Sequence, residues 1–274
     1  MSQKISRWCA ALFGLALAVA ATGARAQGCA ANDTATSIRT PAGECFSFAL
    51  AGADKPAGAP LVVFLHGDGG GSVGGGYWDR ILQVVGDAAA AGPARIVALV
   101  RPGYRAPSGR SDGSAKSGDD DYTADNVRRM AEAIAALRQR FAASRVIAWG
   151  HSGGAATSAL ILDRHPGTLD AAVLAGCPCE IAPWRTWRQQ SAGRTGVWSS
   201  LSPHDHVGNI PAGARIRVIA GDKDDNTLTK FSETYVAKGR ARGLDIELVT
   251  APGATHGNVW RAPEAMAALR ALVR

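Results

Sequence analysis

Short apolar runs recur along the chain at residues 61–65, 96–100, 146–149, 171–175, 216–220 and 246–250. All but the last are almost unbroken in apolar residues, as strands covered on both faces must be and as strands with one wet face are not. Glycine-containing turns and amphipathic stretches separate them. The clearest such stretch is 122–141, where Val127, Met130, Ile134, Leu137 and Phe141 follow one another at steps of three and four and form one helical stripe. Thr123 suits the cap of that helix, and Asp125 suits its first turn. Buried strands alternating with helices predict an α/β fold with a mostly parallel central sheet and helices on both faces. Functional groups are then expected at the carboxyl ends of the strands.

The chain has 274 residues, 46% of them hydrophobic and 19% charged, which suffices for one sizeable core. No repeat, heptad or low-complexity linker divides it. Residues 1–26 carry Lys4 and Arg7, an apolar run over 9–21, and Ala24-Arg25-Ala26, the small-x-small form of a secretory cleavage site. That run falls short of the roughly 20 residues a membrane-spanning helix needs. The expectation is a signal peptide over 1–26, a single domain over 27–274, and export to a periplasmic or extracellular location with no membrane span after cleavage. Of 30 basic and 23 acidic residues the leader takes Lys4, Arg7 and Arg25 and no acid, leaving a charge of +4. So mild a balance, with no basic run interleaved with aromatics, argues against nucleic acid as a partner. An oxidising compartment favours pairing the remaining cysteines, Cys29, Cys45, Cys177 and Cys179. Cys29 with Cys45 is the preferred bridge, while Cys177-Pro178-Cys179 either closes a tight ring or stays reduced.

The run at 146–149 breaks into Gly150-His151-Ser152-Gly153-Gly154, and a plausible helix resumes at Ala155. A strand, a sharp turn and a helix are what an exposed serine nucleophile needs, the glycines leaving room for the crowded turn. A serine hydroxyl reacts only beside a base that an acid orients. His256, in Pro252-Gly253-Ala254-Thr255-His256-Gly257 past the last strand, is the candidate base. His165 precedes Pro166 and suits a surface or capping role instead. The acid is sought in Gly221-Asp222-Lys223-Asp224-Asp225, where Asp224 is the first choice, Asp225 the second and Asp222 the third; the other two suit turn formation and capping. After the strand at 61–65 comes His66-Gly67-Asp68-Gly69-Gly70-Gly71. The backbone N–H of Asp68 or Gly69, with that of Gly153, forms the candidate oxyanion hole. A phosphate cradle is the rival reading of these glycines, but no Gly-Lys-Ser/Thr follows. His204 and His206 lack a third ligand at helpful spacing, so neither metal nor cofactor is expected.

With these residues in this order the chain resembles the α/β-hydrolase fold family over about residues 44–274. The resemblance rests on Gly150-His151-Ser152-Gly153-Gly154 after a strand, His66-Gly67 after an earlier strand, and the order Ser152, Asp224, His256 on successive strand ends. Ser202-Pro203 ahead of 216–224 is also similar to secreted dienelactone-hydrolase-like and prolyl-oligopeptidase-like members. Dienelactone hydrolases proper carry cysteine at the elbow where this chain has Ser152, so their substrate is not carried over. The resemblance implies a serine hydrolase with a small-molecule or oligomeric acyl substrate, first of all a carboxylesterase. A serine peptidase or polyester depolymerase of the same fold is the alternative. A non-catalytic binding protein of this fold is a further alternative, though such a protein needs none of the three side chains. Residues 180–210, holding Trp184, Trp187 and Trp198 among Arg185, Arg188 and Arg194, are read either as a cap insertion over the strand ends or as a helical excursion whose tryptophans pack on the body.

Overall fold

The computed structural model describes residues 35–115, 122–191 and 200–274. The expected leader, Cys29, Arg194 and Trp198 lie outside the described residues. Among the described residues ten strands form: β1 (Ser37–Arg39), β2 (Cys45–Ala51), β3 (Leu61–Leu65), β4 (Arg95–Leu99), β5 (Arg105–Ala106), β6 (Gly109–Arg110), β7 (Val146–His151), β8 (Ala171–Ala175), β9 (Arg215–Gly221) and β10 (Asp245–Ala251). Six helices accompany them: α1 (Gly75–Ala90), α2 (Ala124–Arg140), α3 (Gly153–Arg164), α4 (Ile181–Ser191), α5 (Lys230–Ala241) and α6 (Pro263–Val273). One eight-stranded sheet has the order β1-β2-β4-β3-β7-β8-β9-β10, and β5 and β6 form a separate ribbon. β1 with β2 and β2 with β4 are antiparallel; every other pairing in the large sheet is parallel. This is the α/β-hydrolase fold, with the mostly parallel sheet and the two helical layers that the apolar runs predict.

Successive residues of a strand point to opposite faces, so each central strand feeds two cores. Leu61, Val63 and Leu65, with Ala148, Leu174 and Val218, face α2, α3 and α5. Val62 and Phe64, with Ile147, Trp149, Val173 and Ile219, face α1 and α6. The Thr123 side chain accepts from the Asn126 N–H at 3.2 Å, capping α2 as its sequence suggests. On the second face Trp149 stands edge-on to Phe64 at 4.9 Å and lies 5.8 Å from Trp260, and its indole N–H reaches the Trp260 carbonyl at 2.9 Å. Truncating a large ring in a buried cluster of this kind costs about 3–5 kcal/mol. The packing also anchors the segment just after His256 to β7, the strand that ends just before Ser152.

Two segments interrupt the alternation of strands and helices. Residues 102–121, rich in Gly, Ser, Arg and Asp, read from the sequence as a surface loop, yet Tyr104, Ala106 and Ser111 are buried. The Ser111 hydroxyl donates to the Val100 carbonyl at 2.7 Å and accepts from the Ser47 N–H at 3.1 Å, and these bonds hold the ribbon at the end of β4 beside β2. In 180–210 the helix α4 packs against the body. The Trp184 indole donates to the Asn226 carbonyl at 2.8 Å, and the Trp187 ring lies 5.9 Å from Phe231. No helix among the described residues is long and apolar enough to cross a membrane.

Candidate active site

Ser152 is the junction between β7 and α3 and adopts φ 53°, ψ −121°. A non-glycine residue with positive φ is strained, and such strain persists only where the surroundings over-determine it. Here the Ser152 N–H is held by the Ala175 carbonyl at 2.9 Å, while its own carbonyl accepts from Ala155 N–H at 2.8 Å and Ala156 N–H at 3.1 Å. The flanking glycines permit the turn by close approach. A methyl group on Gly154 would run into the backbone carbonyls of Leu65 and His66, and one on Gly150 into the backbone of Ala155.

The loops after β7, β9 and β10 bring three distant side chains together. Ser152 Oγ lies 3.0 Å from His256 Nε2, and His256 Nδ1 lies 2.9 Å from Asp224 Oδ2. Of the three carboxylates in the loop after β9, only Asp224 turns inward; it is 5% exposed. Its Oδ1 accepts from Asn226 N–H at 2.9 Å and Thr227 N–H at 2.8 Å, and its Oδ2 also accepts from the Thr227 hydroxyl at 2.8 Å. Burial alone would raise its pKa, but the bond and charge of His256 and the Thr227 donors outweigh it and hold the carboxyl below its usual range. Asp225 is exposed, and Asp222 accepts from the Gly253 N–H at 2.6 Å, fixing the turn that precedes His256. β8 lies between β7 and β9, so Asp224 must reach over its end. Gly176 stands there with φ 56°, and a side chain on it would crowd Val259, Asp224 and His256. Cys177 and Cys179 follow directly and are disulfide-bonded to each other, which resolves the two states left open for that pair. Cys45 is disulfide-bonded as well, while its expected partner Cys29 lies outside the described residues.

The glycine-rich loop after β3 faces the start of α3. A side chain on Gly153 would strike the Asp68 carboxylate and the Tyr122 hydroxyl, so Gly153 and the 66–69 loop stand against each other. Asp68 Oδ1 pairs with the buried Arg101 guanidinium at 2.8 Å, and its Oδ2 accepts from the Tyr122 hydroxyl at 2.5 Å. Burial would raise the Asp68 pKa, but Arg101 and the Tyr122 bond prevail and lower it. Gly153 N–H belongs to the first turn of α3, where helix donors have no partner within the helix. Gly67 N–H, in contrast, is taken by the Tyr77 hydroxyl at 3.1 Å. The sequence reading of this corner missed Tyr77, Arg101 and Tyr122, which reach it from 10, 33 and 54 residues away with no local signal.

Gly67, Asp68, Tyr77, His151, Ser152, His256, Asn226 and the α4 residues Trp184, Arg185 and Arg188 line a cleft of about 230 Å³. A groove of about 280 Å³ at the amino ends of β3 and β4 is lined mainly by aliphatic carbon and holds no nucleophile, so the smaller cleft is the candidate site. His204 and His206 pair with Asp205 at 3.1 Å and Asp163 at 3.4 Å, respectively. Among the described residues no group of three or more His, Cys, Asp and Glu is arranged to hold a metal ion.

A serine on a strained turn, hydrogen-bonded to a histidine that is bonded in turn to a buried carboxylate, at the strand ends of a parallel sheet, defines a site suited to nucleophilic attack on an acyl carbon. The chain has the α/β-hydrolase fold, and the family model of that fold matches residues 60–195. Among solved structures it is similar to the Pyrococcus furiosus esterase Pf2001, with a TM-score of 0.63 and 12% identity, covering 86% of this chain and 90% of that one. Est1E from Butyrivibrio proteoclasticus with ferulic acid bound gives 0.59 and 17%, over 87% of this chain and 96% of that one. The Porphyromonas gingivalis dipeptidyl peptidase 4 gives 0.59 and 16%, over 81% of this chain but 32% of that one. At these identities the likeness is one of fold. No curated protein matches the sequence.

Proposed function

We propose that the protein is an exported serine hydrolase that cleaves carboxylic esters through an acyl-enzyme on Ser152. The single observation that carries this reading is the continuous bond path from Ser152 Oγ through His256 to Asp224 at 3.0 and 2.9 Å. In the proposed mechanism His256 Nε2 takes the Ser152 proton as Oγ attacks the acyl carbon. Asp224 keeps the other imidazole proton on Nδ1 and stabilises the imidazolium. The N–H groups of Gly153 and of Asp68 or Gly69 receive the oxyanion. His256 returns its proton to the leaving alcohol, and a water activated by the same imidazole then releases the acid.

An ester with an aromatic acyl or alcohol part is the preferred substrate class, supported by the indole of Trp184 in the cleft wall and by the fold likeness to an esterase that binds ferulic acid. The leader over 1–26 and a Cys29–Cys45 bridge belong to the same reading, since an exported chain meets an oxidising compartment. The test is hydrolysis of a panel of hydroxycinnamoyl and short acyl esters, a soluble polyester oligomer and dipeptidyl amides by the protein and by Ser152→Ala. Turnover of the aromatic esters that Ser152→Ala abolishes is expected. Preferential cleavage of the amides would make the protein a peptidase, and hydrolysis that survives in Ser152→Ala would refute the nucleophile.

A further inference from the structure

We propose that His151 and Tyr77 are positioning residues that hold the base-bearing loop and the oxyanion loop in register with Ser152. The inference rests on the serine-hydrolase reading above and concerns how that machinery is kept assembled. His151 precedes the nucleophile and is 6% exposed. Its Nε2 lies 2.8 Å from the backbone carbonyl of His256, its Nδ1 lies 2.7 Å from the Tyr77 hydroxyl, and that hydroxyl lies 3.1 Å from the Gly67 N–H.

The ends of this chain fix the direction of every bond in it. The His256 carbonyl can only accept, so His151 Nε2 carries a proton and donates. The neutral ring then has a bare Nδ1, which accepts from the Tyr77 O–H. The Gly67 N–H can only donate, and the Tyr77 oxygen accepts it. All four groups are thus satisfied by one arrangement, running from Gly67 N–H through Tyr77 O–H and His151 to the His256 carbonyl. Burial, then the neighbouring His256, lowers the His151 pKa to about 3, so the ring stays neutral and the arrangement does not invert under ordinary conditions. The pair joins four elements of the site: the loop after β3, the first turn of α1, the turn at Ser152 and the loop after β10. The His151 ring, tilted against both, lies 5.0 Å from that of His256 and 6.1 Å from that of Trp260 and so packs against the same loop. Among the described residues no other hydrogen bond ties the His256 backbone to the elbow, and displacements of about 1 Å in such geometry cost up to about 100-fold in rate.

The test compares Tyr77→Phe, His151→Phe, the double variant and His151→Gln, whose amide can still donate to the His256 carbonyl and accept from Tyr77. A fluorophosphonate titrates the fraction of molecules with a reactive Ser152, and ester turnover is expressed per titrated site. The expected result is near-complete titration with kcat per site lowered about 10- to 100-fold in Tyr77→Phe and His151→Phe, KM little changed, no further loss in the double variant, and recovery of most of the rate in His151→Gln. Wild-type kcat per site in both single variants overturns the proposal. So does a loss confined to the titrated fraction, because that is the mark of a purely structural role. Hydrolysis that persists in Ser152→Ala overturns the nucleophile and this proposal with it, and so separates that failure from failure of the positioning alone.

Discussion

Two buried histidines set an acid limit on the stability of the fold. His66 is 1% and His151 6% exposed. Burial first, then Arg101 beside His66 and His256 beside His151, lowers each pKa from 6.5 to about 3. The bonds of His66 fit a neutral ring: Nε2 accepts from the Arg101 N–H at 3.0 Å, and Nδ1 is 2.8 Å from the Gly67 carbonyl. Both rings are therefore neutral in the folded protein, whereas the unfolded chain takes up a proton on each below about pH 6.5. Because the unfolded state binds more protons, stability rises with pH; it is complete above about 6.5 and is lost as pH falls from there toward 3. Going from pH 7 to pH 5 costs about 2 kcal/mol per ring, or about 4 kcal/mol for both, with a limiting slope near 2.7 kcal/mol per pH unit. The depressed carboxyls of Asp68 and Asp224 act in the same direction only nearer their unfolded value of 3.8, below this window. Urea unfolding followed by tryptophan fluorescence at pH 7, 6 and 5 measures the loss. His151→Gln, which does not titrate, is expected to lose about half as much. A wild-type stability that is the same within about 1 kcal/mol at pH 5 and 7 would show that the two rings do not stay neutral at the expense of stability.

Gly154→Ala is expected to destabilise by about 3 kcal/mol, since its methyl meets the Leu65 and His66 carbonyls; urea denaturation reads the loss. Trp149→Ala removes the ring between Phe64 and Trp260 and should cost about 3–5 kcal/mol, with activity falling as the Trp260 segment loosens. Asp224→Asn leaves the fold in place but favours the wrong imidazole tautomer, and kcat for ester hydrolysis is expected to fall about four orders of magnitude. Asp225→Asn and Asp222→Asn should stay within about tenfold of the wild type.

What the sequence discloses follows from how locally each feature is encoded. β3, β7 and β8 are legible because strands covered on both faces must be apolar throughout, and the elbow because Gly150, Ser152 and Gly154 sit within five residues of one another. The boundaries shift by a residue or two: β4 begins at Arg95 and β7 runs on through His151, since ladder bonds rather than apolar character end a strand. α1 opens on glycines with no side-chain cap, and β1 is three residues long, so neither announces itself. Asp224 is separable from Asp222 and Asp225 only in three dimensions, where Thr227 and His256 converge on it. Tyr77 with His151 and Asp68 with Arg101 are 74 and 33 residues apart, and one sequence carries no sign of such pairs.

Covalent labelling asks of the protein itself whether Ser152 is an activated nucleophile. Intact mass of the protein and of Ser152→Ala after exposure to a fluorophosphonate, followed by peptide mapping, reads it out. One adduct per wild-type chain, placed on Ser152, and none on the variant is the expected result. No adduct on the wild type, or an equal adduct on both, would contradict it.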